Sequence, residues 1–266
     1  MIKIICIRFL KERYFDLAAQ TAYYLLLSVF PFLIFIISLL QFFPVNAEML
    51  LTFLRPFAPA ESFILLEKNI EIVLNQGKGK VLYISLGSAL WLSSIAVQSL
   101  ARSLDLANGF KRKGAFWKSL IRDLGITSLF MLVIPLSLFL PIIETALYKV
   151  VTYYDQIEQW QGWFYIWPNV KWGLGTLFLL LFFLLFYTVV PTGKMKVREA
   201  FPGAIFSAFG WQLFSLLFGD YVSSVDYTRL YGQLSGIILL VLWFYSTAVI
   251  ILLSGLMNAE WRKSFR

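Results

Sequence analysis

The side chains of this sequence that could do chemistry are mostly neutral hydrogen-bonding groups set inside long apolar runs. In residues 20–40, QTAYYLLLSVFPFLIFIISLL, four residues recur every three or four positions: Gln20, Tyr24, Leu27 and Pro31. That spacing places them on one face of a helix. Pro31 has no N–H to offer the Leu27 carbonyl, so we predict a kink and an acceptor satisfied from outside the helix.

A second polar line runs through Trp91, Ser94, Gln98, Arg102 and Asp105. Arg102 and Asp105 are three residues apart and can pair at the end of their apolar run. These stripes could line a polar path, or they could bond neighbouring helices together at about 0.6 kcal/mol per bond. The candidates for a substrate path are Gln20, Tyr24, Pro31, Gln98, Arg102, Asp105 and Asn258.

The chemistry that the sequence excludes is as informative. The 266 residues contain no His and one Cys, Cys6. His-based zinc sites, Ser–His–Asp triads and disulfides within the chain are therefore ruled out. No Asp, Glu, Lys or Arg falls in the central part of any apolar run, which lowers the case for a proton-coupled mechanism. We expect no catalytic residues, no metal and no cofactor.

These polar groups must be positioned by membrane-spanning helices. Hydrophobic residues make up 59% of the chain, mean hydropathy is +0.75, and only 14% of residues are charged. Soluble chains are about 45–50% apolar and ~25% charged. The sequence predicts an all-α polytopic membrane protein with six spans of about 20 residues each. They are Ala22–Phe43, Val81–Leu100, Gly125–Ile143, Trp172–Val190, Phe201–Phe218 and Leu234–Leu256, the fifth being the shortest and opening with Pro202 in its first turn.

The distribution of positive charge predicts the orientation. Of the 23 Lys and Arg residues, 16 lie in 1–21, 101–124, 191–200 and 257–266. The positive-inside rule places these segments, and both termini, in the cytoplasm. The run Lys111–Lys113 is the sharpest signal. The net charge of +8 thus reflects topology, and we expect no nucleic-acid partner.

The outer connections have their own patterns. Residues 59–76 carry apolar residues at helical spacing and predict an amphipathic interfacial helix. An aromatic cluster between Trp160 and Trp167 is typical of the headgroup region and predicts a second interfacial segment. No long linker is evident, so residues 1–266 are expected to form a single integral-membrane domain.

Small residues at intervals of four mark candidate sites of close helix packing. Gly203 and Ser207 form one pair, and Gly232 and Gly236 form another. Residues of this size let two helices approach closely. The contact could lie within one chain, or it could form a homodimer face.

Three segments make the chain resemble the YihY / virulence factor BrkB family of bacterial inner-membrane proteins. The first is residues 18–40, with Ala22–Tyr24, Leu27–Ser28 and Phe30–Pro31. The second is Gln98 followed by Asn108 and the basic segment KRKGAFWK. The third is residues 191–261, with Tyr231–Gly232, Trp243–Tyr245 and Gly255–Asn258.

This resemblance implies six helices, cytoplasmic termini and a role in the cell envelope. Members have been described as transporters, some linked to lipid or lipopolysaccharide export, and a ribonuclease label also circulates. Many members carry Glu two positions before the last Asn, where this chain has Leu256. Any role of that Glu is in doubt here.

We therefore predict a transporter or lipid-handling protein of the inner membrane, with membrane lipids as partners. The alternative is a scaffold or envelope assembly factor that transports nothing. Ribonuclease activity is disfavoured, because hydrolysis of RNA usually needs clustered carboxylates or histidines for metals.

Overall fold

The protein is helical throughout the part that is described. The computed structural model describes residues 2–40, 80–111, 116–136, 161–224, 227 and 232–264, and no strand occurs among them. The helices are α1 (Ile2–Lys11), α2 (Tyr14–Leu40), α3 (Lys80–Asn108), α4 (Phe116–Leu136), α5 (Gln161–Val189), α6 (Val197–Ser224) and α7 (Ser235–Lys263), with a 3₁₀ turn at Gly232–Leu234. The predicted all-α class is confirmed. The amphipathic helix predicted over residues 59–76 lies outside the described residues.

Five described segments are long and apolar enough to cross a membrane. They are Tyr14–Ile36, Leu82–Asn108, Val170–Val189, Val197–Ser224 and Ser235–Lys263. Each overlaps one predicted span. The remaining predicted span, Gly125–Ile143, overlaps α4, and its part beyond Leu136 lies outside the described residues. The count of six spans stays a prediction.

The aromatic segment predicted as a separate interfacial element is continuous with a spanning helix. Its residues from Gln161 onward form the first turns of α5, which runs without a break for 29 residues to Val189. The residues predicted to be interfacial, from Gln161 onward, and the candidate span Val170–Val189 are thus successive parts of one helix.

The chain divides into two compact units, and they are described separately. One comprises Met1–Tyr23 and Val97–Arg266, and the other comprises Tyr24–Ala96. In the second unit Ser28, Ser38 and Ser85 are buried. Because α2 and α3 each continue from one unit into the other, this division leaves the prediction of a single domain over 1–266 undecided.

Gly109 ends helix α3 by turning the chain. Its φ of 66° is left-handed, a conformation that glycine adopts without strain. The Phe110 N–H donates to the Asp105 carbonyl at 2.9 Å, and the Gly109 N–H donates to the Leu106 carbonyl at 3.2 Å. This pair of bonds is a Schellman motif, and it satisfies carbonyls that the end of the helix would otherwise leave unpaired.

Helix α6 begins earlier than predicted, and the prediction that the fifth span is the shortest and opens with Pro202 is wrong. The helix has 28 residues and starts at Val197, so Pro202 lies inside it as the sixth residue. The start is fixed by Glu199, whose carboxylate accepts the Lys196 backbone N–H at 3.2 Å. That bond is one half of a capping box.

Helices α5, α6 and α7 form the packed core of the first unit. Their contacts use small residues: Ala200, Ala204 and Ala208 of α6 and Ala248 of α7 are all fully buried. A Cβ built on Gly255 of α7 would collide with the Leu104 side chain of α3. Small side chains bring these backbones close together, as is usual for helices packed in lipid.

Candidate functional site: an ion-pair cluster and a groove at one end of the helices

Arg8 of α1 is the centre of an ion-pair cluster. Its guanidinium donates to Glu12 through Nε at 2.7 Å and to Glu260 of α7 through Nη1 at 2.6 Å. Nη2 donates both to Glu12 at 3.0 Å and to the Ala107 carbonyl, at the end of α3, at 3.2 Å. The hydrogen bond to Glu12 is the largest cause that raises the pKa of Arg8 well above its ordinary value. Arg8 therefore stays charged and ties three helices together.

The cluster extends along α7 and balances its own charge. Lys263 pairs with Glu260 at 2.6 Å, and Arg262 pairs with Glu199 of α6 at 3.5 Å. Arg262 also lies over the Phe110 ring, 4.5 Å from its centroid. We name this set of three cations and three carboxylates the Arg8 cluster: Arg8, Glu12, Glu199, Glu260, Arg262 and Lys263. A small cavity of about 240 Å³ lies beside it, next to Asn108 and Gly109.

Other contacts bring the remaining basic connections to the same place. The Asp105 carboxylate accepts the Thr192 backbone N–H at 2.7 Å. Arg122 donates to the Val190 carbonyl. A Cβ on Gly193 would lie 2.5 Å from the Phe110 ring, so this approach requires glycine. The four segments predicted to share one side of the membrane therefore meet, and we call this place the shared end.

The shared end bears on the number of spans. Because α1 and the last turn of α7 touch there, the chain must cross the membrane an even number of times between them. The predicted number of six crossings is even and would require α4 to cross as well, so it stays a prediction. That the shared end faces the cytoplasm remains a prediction from its Lys and Arg content.

A groove opens at the shared end between the start of α6 and the end of α7. It holds about 540 Å³ and is lined by Val197, Arg198, Phe201, Pro202 and Trp261. Val197 is 60% exposed and Phe201 is 45% exposed. The groove thus combines apolar walls with one guanidinium and one indole, and Trp is a residue that favours the membrane–water boundary. Its volume is within the range of ligand sites.

The predicted path residues do not share one environment. Gln20 and Arg102 are exposed, whereas Tyr24, Pro31 and Gln98 are half-buried. Asp105 is buried, and its carboxylate accepts the Thr192 backbone N–H at the shared end. The predicted pairing of Arg102 with Asp105 stays a prediction. Helix α2 continues through Pro31, and the predicted kink there stays a prediction.

Asn258 lies in a packing contact. It is fully buried, and its Oδ1 accepts the Gly203 N–H at 2.7 Å. A Cβ on Gly203 would lie 2.5 Å from Asn258 Nδ2 and from the Ser254 carbonyl. The bond is made by the residue directly after Pro202, so the place in α6 where proline has no N–H to donate coincides with a link to α7.

The residues predicted to pack helices together also lie in different environments. Ser207 is fully buried, and its Oγ is 2.7 Å from the Tyr187 hydroxyl. A Cβ on Gly232 or Gly236 would meet no atom within 4 Å in the described chain. Gly232 instead has a φ of 56°, which serves the turn before α7. The close approach of α6 and α7 is at Gly203.

Sequence reasoning missed Tyr187, a polar residue that is fully buried in the core. The Tyr187 hydroxyl of α5 donates to the Ile251 carbonyl of α7 at 2.8 Å and bonds Ser207 of α6. The signal was present, since Tyr187 is a polar residue in a run of Phe and Leu. Arg8 and Glu12 were also visible as a pair four residues apart, but Glu260 is 252 residues from Arg8.

The described residues contain no group of three His, Cys, Asp or Glu side chains that could hold a metal ion. The acids of the Arg8 cluster are instead bound to Arg and Lys. The chemistry that the described residues show at the shared end is therefore charge pairing.

These features define a class: an all-α, multi-pass membrane protein whose spans are joined by neutral bonds and whose charges, among the described residues, lie mostly at one end. The chain belongs to the family described as Virulence factor BrkB, whose profile matches residues 5–265. It is a multi-pass protein of the bacterial inner membrane. At the position where many members have Glu, Leu256 is fully buried in the core.

Three relatives illustrate this membership. The chain is 32% identical over 243 residues to the ribonuclease-like protein YfkH of Bacillus subtilis, covering 91% of this chain and 88% of that one. It is 26% identical to a UPF0761 membrane protein of Aliivibrio salmonicida, covering 95% and 80%. With a UPF0761 membrane protein of Pseudomonas aeruginosa, identity is 24% over 94% of this chain and 60% of that one. No solved structure matches the chain.

Proposed function

We propose that this protein handles a lipid-like amphiphile at the shared end, and that it carries this molecule across the inner membrane. The observation that supports this most directly is the groove between α6 and α7. Its walls, Val197 and Phe201, are exposed and apolar, while Arg198 offers a guanidinium at the rim. An anionic headgroup suits Arg198, and an acyl chain suits the walls.

The spans support a path that carries no charge. Of the neutral residues that the sequence predicts for this path, Gln20, Tyr24 and Gln98 remain candidates, whereas Asn258 is fully buried in the contact between α6 and α7. Hydroxyl and amide groups can exchange hydrogen bonds with a headgroup while its tail stays in lipid. The groove adds to this proposal a place where the amphiphile would be recruited before it enters.

A proteoliposome assay tests the proposal. Vesicles containing the purified protein and a trace of phospholipid labelled on its headgroup are treated with an impermeant reductant, which bleaches only the outer leaflet. Movement of lipid between leaflets exposes the remainder to bleaching. We expect more complete bleaching than in protein-free vesicles. Bleaching equal to that of protein-free vesicles, together with no lipid retained through purification, would overturn the proposal.

Two variants tie the assay to the groove, each with a matched control on α6 or at the residue directly before it. Arg198→Gln should reduce lipid retention about tenfold, the value of one charge-assisted hydrogen bond of ~1.5 kcal/mol. Lys196→Gln removes an exposed cation two residues away and should have little effect. Phe201→Ala should act like Arg198→Gln, whereas Phe209→Ala, at another exposed Phe of α6, should not.

A non-transporting scaffold is the second candidate, and one observation favours it. The Arg8 cluster balances its charges and ties α1, α6 and α7 into one body, which suits a fixed platform. A scaffold would leave lipid transfer at the protein-free level while its removal still alters the cell envelope.

The proposal is not enzymatic, although the printed name of YfkH is ribonuclease-like. We expect the purified protein to leave single-stranded and duplex RNA uncut, with or without added divalent metal. Cleavage that persists across independent preparations and is lost on replacing one acid of the shared end would contradict this.

A further inference from the structure

Helix α1 has two faces of different character. Ile5 is buried, Phe9 packs against the core, and the Phe9 and Tyr14 rings stack with centroids 5.9 Å apart. The opposite face leaves Ile4, Ile7 and Leu10 exposed by 51%, 52% and 67%. Three large aliphatic side chains in one row are costly to leave in water.

The outward face also carries positive charge. With 3.6 residues per turn, Lys3 and Lys11 fall on either side of Ile7, within the same arc as Ile4 and Leu10. Both lysines are exposed. The only cation turned inward is Arg8, which is bound by Glu12 and Glu260. No acid lies within α1, so the outward face is apolar and basic together.

The position of α1 is fixed next to the membrane boundary. The first candidate span begins at Tyr14, three residues after α1 ends, and three residues extend at most about 10 Å. Arg13, with a φ of 58°, separates the two helices by a turn. The Arg8–Glu260 pair then holds α1 against the last turns of α7. Helix α1 therefore lies where spanning helices end.

We propose that α1 is an in-plane anchor that rests on the anionic leaflet at the shared end. Ile4, Ile7 and Leu10 enter the boundary between headgroups and acyl chains, and Lys3 and Lys11 extend to lipid phosphates. Interfacial helices combine apolar and basic residues. Lys3 and Lys11 lie near the two ends of α1, so their long side chains can extend along the helix axis to the headgroups while the aliphatic residues enter the lipid. The partner is an anionic phospholipid surface, and this inference does not depend on transport.

The chain offers a direct experiment because Cys6 is its only cysteine. In a Cys6→Ser background, Ile7→Cys carries a small fluorophore, and the full-length protein is placed in nanodiscs. One set of discs is phosphatidylcholine alone and the other contains phosphatidylglycerol. Fluorescence is quenched either by iodide in water or by lipids with a nitroxide near the headgroup. A second labelling site, Ser264→Cys, is exposed at the same end and serves as the aqueous control.

With phosphatidylglycerol, we expect the label at position 7 to be quenched by the lipid nitroxide and protected from iodide. The label at 264 should show the reverse. Replacing Lys3 and Lys11 by Gln should lower the ratio of lipid to iodide quenching by about fivefold per Lys, the effect of one basic residue near an anionic surface. Phosphatidylcholine discs should give the lower ratio with the unmodified lysines.

Two outcomes would overturn the inference. Equal iodide quenching at positions 7 and 264 in both lipids would show that the outward face of α1 is in water. Protection of the label from both quenchers, with disulfide formation between two unlabelled Ile7→Cys chains under an added oxidant, would show that a second copy covers the face. Unchanged thermal unfolding of the labelled variants establishes that α1 is still docked, since its inward residues are untouched.

Discussion

The junction of α5, α6 and α7 and the shared end both tie helices together, but they use opposite chemistry. At the junction the bonds are neutral: Tyr187 bonds Ser207 and the Ile251 carbonyl, and Asn258 accepts the Gly203 N–H. At the shared end the bonds are ionic, and the Arg8 and Glu260 side chains remain 17% and 12% exposed.

The difference follows from the solvent. In the apolar core an unpaired charge is very costly, so polarity is limited to groups that a nearby backbone atom or hydroxyl can satisfy. At the shared end water and headgroups offset part of the desolvation, so ion pairs can form. The stability of the junction should therefore depend on steric fit and not on salt concentration. The stability of the shared end should depend on salt concentration and less on steric fit.

The largest effect expected is the all-or-none outcome of a topology test. If the shared end is cytoplasmic, a reporter fused after Arg266 will report cytoplasm, and one inserted near Asp155 will report the outer side. The reason is that 16 of the 23 Lys and Arg residues lie in the segments that meet at this end. Readings from the same side at both sites would contradict six spans, and reversed readings would contradict the orientation.

Steric fit at the junction is tested by Gly203→Ala. The added Cβ would lie 2.5 Å from Asn258 Nδ2 and from the backbone carbonyl of Ser254, which cannot rotate away. We expect a loss of about 1–3 kcal/mol, as for other overpacked cores, seen as a lower unfolding temperature in detergent.

Gly236→Ala is the matched control. Its Cβ would meet nothing within 4 Å among the described residues, and Ala is preferred to Gly inside a helix by about 1 kcal/mol. Its unfolding temperature should stay level or rise. Equal losses for both variants would show that α6 and α7 do not approach each other closely at Gly203.

The sequence predicted the helices well and their interactions poorly, and the reason is physical. Hydropathy locates a span because lipid acts on every residue in it. Helix α6 starts at Val197 because the Glu199 carboxylate accepts the Lys196 backbone N–H. It continues through Pro202, and the next residue, Gly203, donates to Asn258, which is 55 residues further along the chain. Such contacts are set by tertiary packing and leave no local period to read.

The polar bonds of the junction are tested by Tyr187→Phe. The change removes two hydrogen bonds and leaves the Ser207 hydroxyl without this partner. Hydrogen bonds between helices in membranes average about 0.6 kcal/mol and reach ~1.7, so we expect a loss in that range that salt does not alter. A double-mutant cycle with Ser207→Ala measures the coupling. Tyr221→Phe, at an exposed Tyr of α6, should be neutral.

The ionic bonds of the shared end are tested by Arg8→Gln. We expect a loss of about 1 kcal/mol or less, because the pairs are partly exposed. The difference from wild type should shrink in about 1 M NaCl, where charges are screened beyond ~3 Å. Arg13→Gln breaks the Arg13–Asp16 pair, whose side chains are 74% and 47% exposed, and should have no measurable effect. A salt-independent loss at Arg8 would mean that packing, not charge, holds α1.

The candidate site was predicted only in part, for a related reason. Positive charge predicted that four segments share one side, and contacts among Arg8, Ala107, Asp105, Thr192 and Glu260 confirm that they meet. The groove was not predicted, because its walls come from two helix ends about 60 residues apart in the chain and neither end is unusual by itself. Asn258 was predicted to line a substrate path, which stays a prediction, and the sequence could not show that its side chain accepts the Gly203 N–H.

The smallest effect expected on stability is that of Gln98→Leu, and it tests the proposed path. Gln98 is half-buried in α3, and its replacement should change the free energy of unfolding by no more than about 0.6 kcal/mol, one average interhelical bond. Gln212→Leu is the matched control, because Gln212 is half-buried in α6 and donates to Thr176 of α5 at 2.9 Å. In the proteoliposome assay Gln98→Leu should slow lipid transfer at nearly unchanged stability. Gln212→Leu should lower stability and leave transfer per folded molecule unaltered. If both variants lose stability and neither changes transfer, Gln98 joins helices as Gln212 does, and the scaffold candidate gains over the transporter.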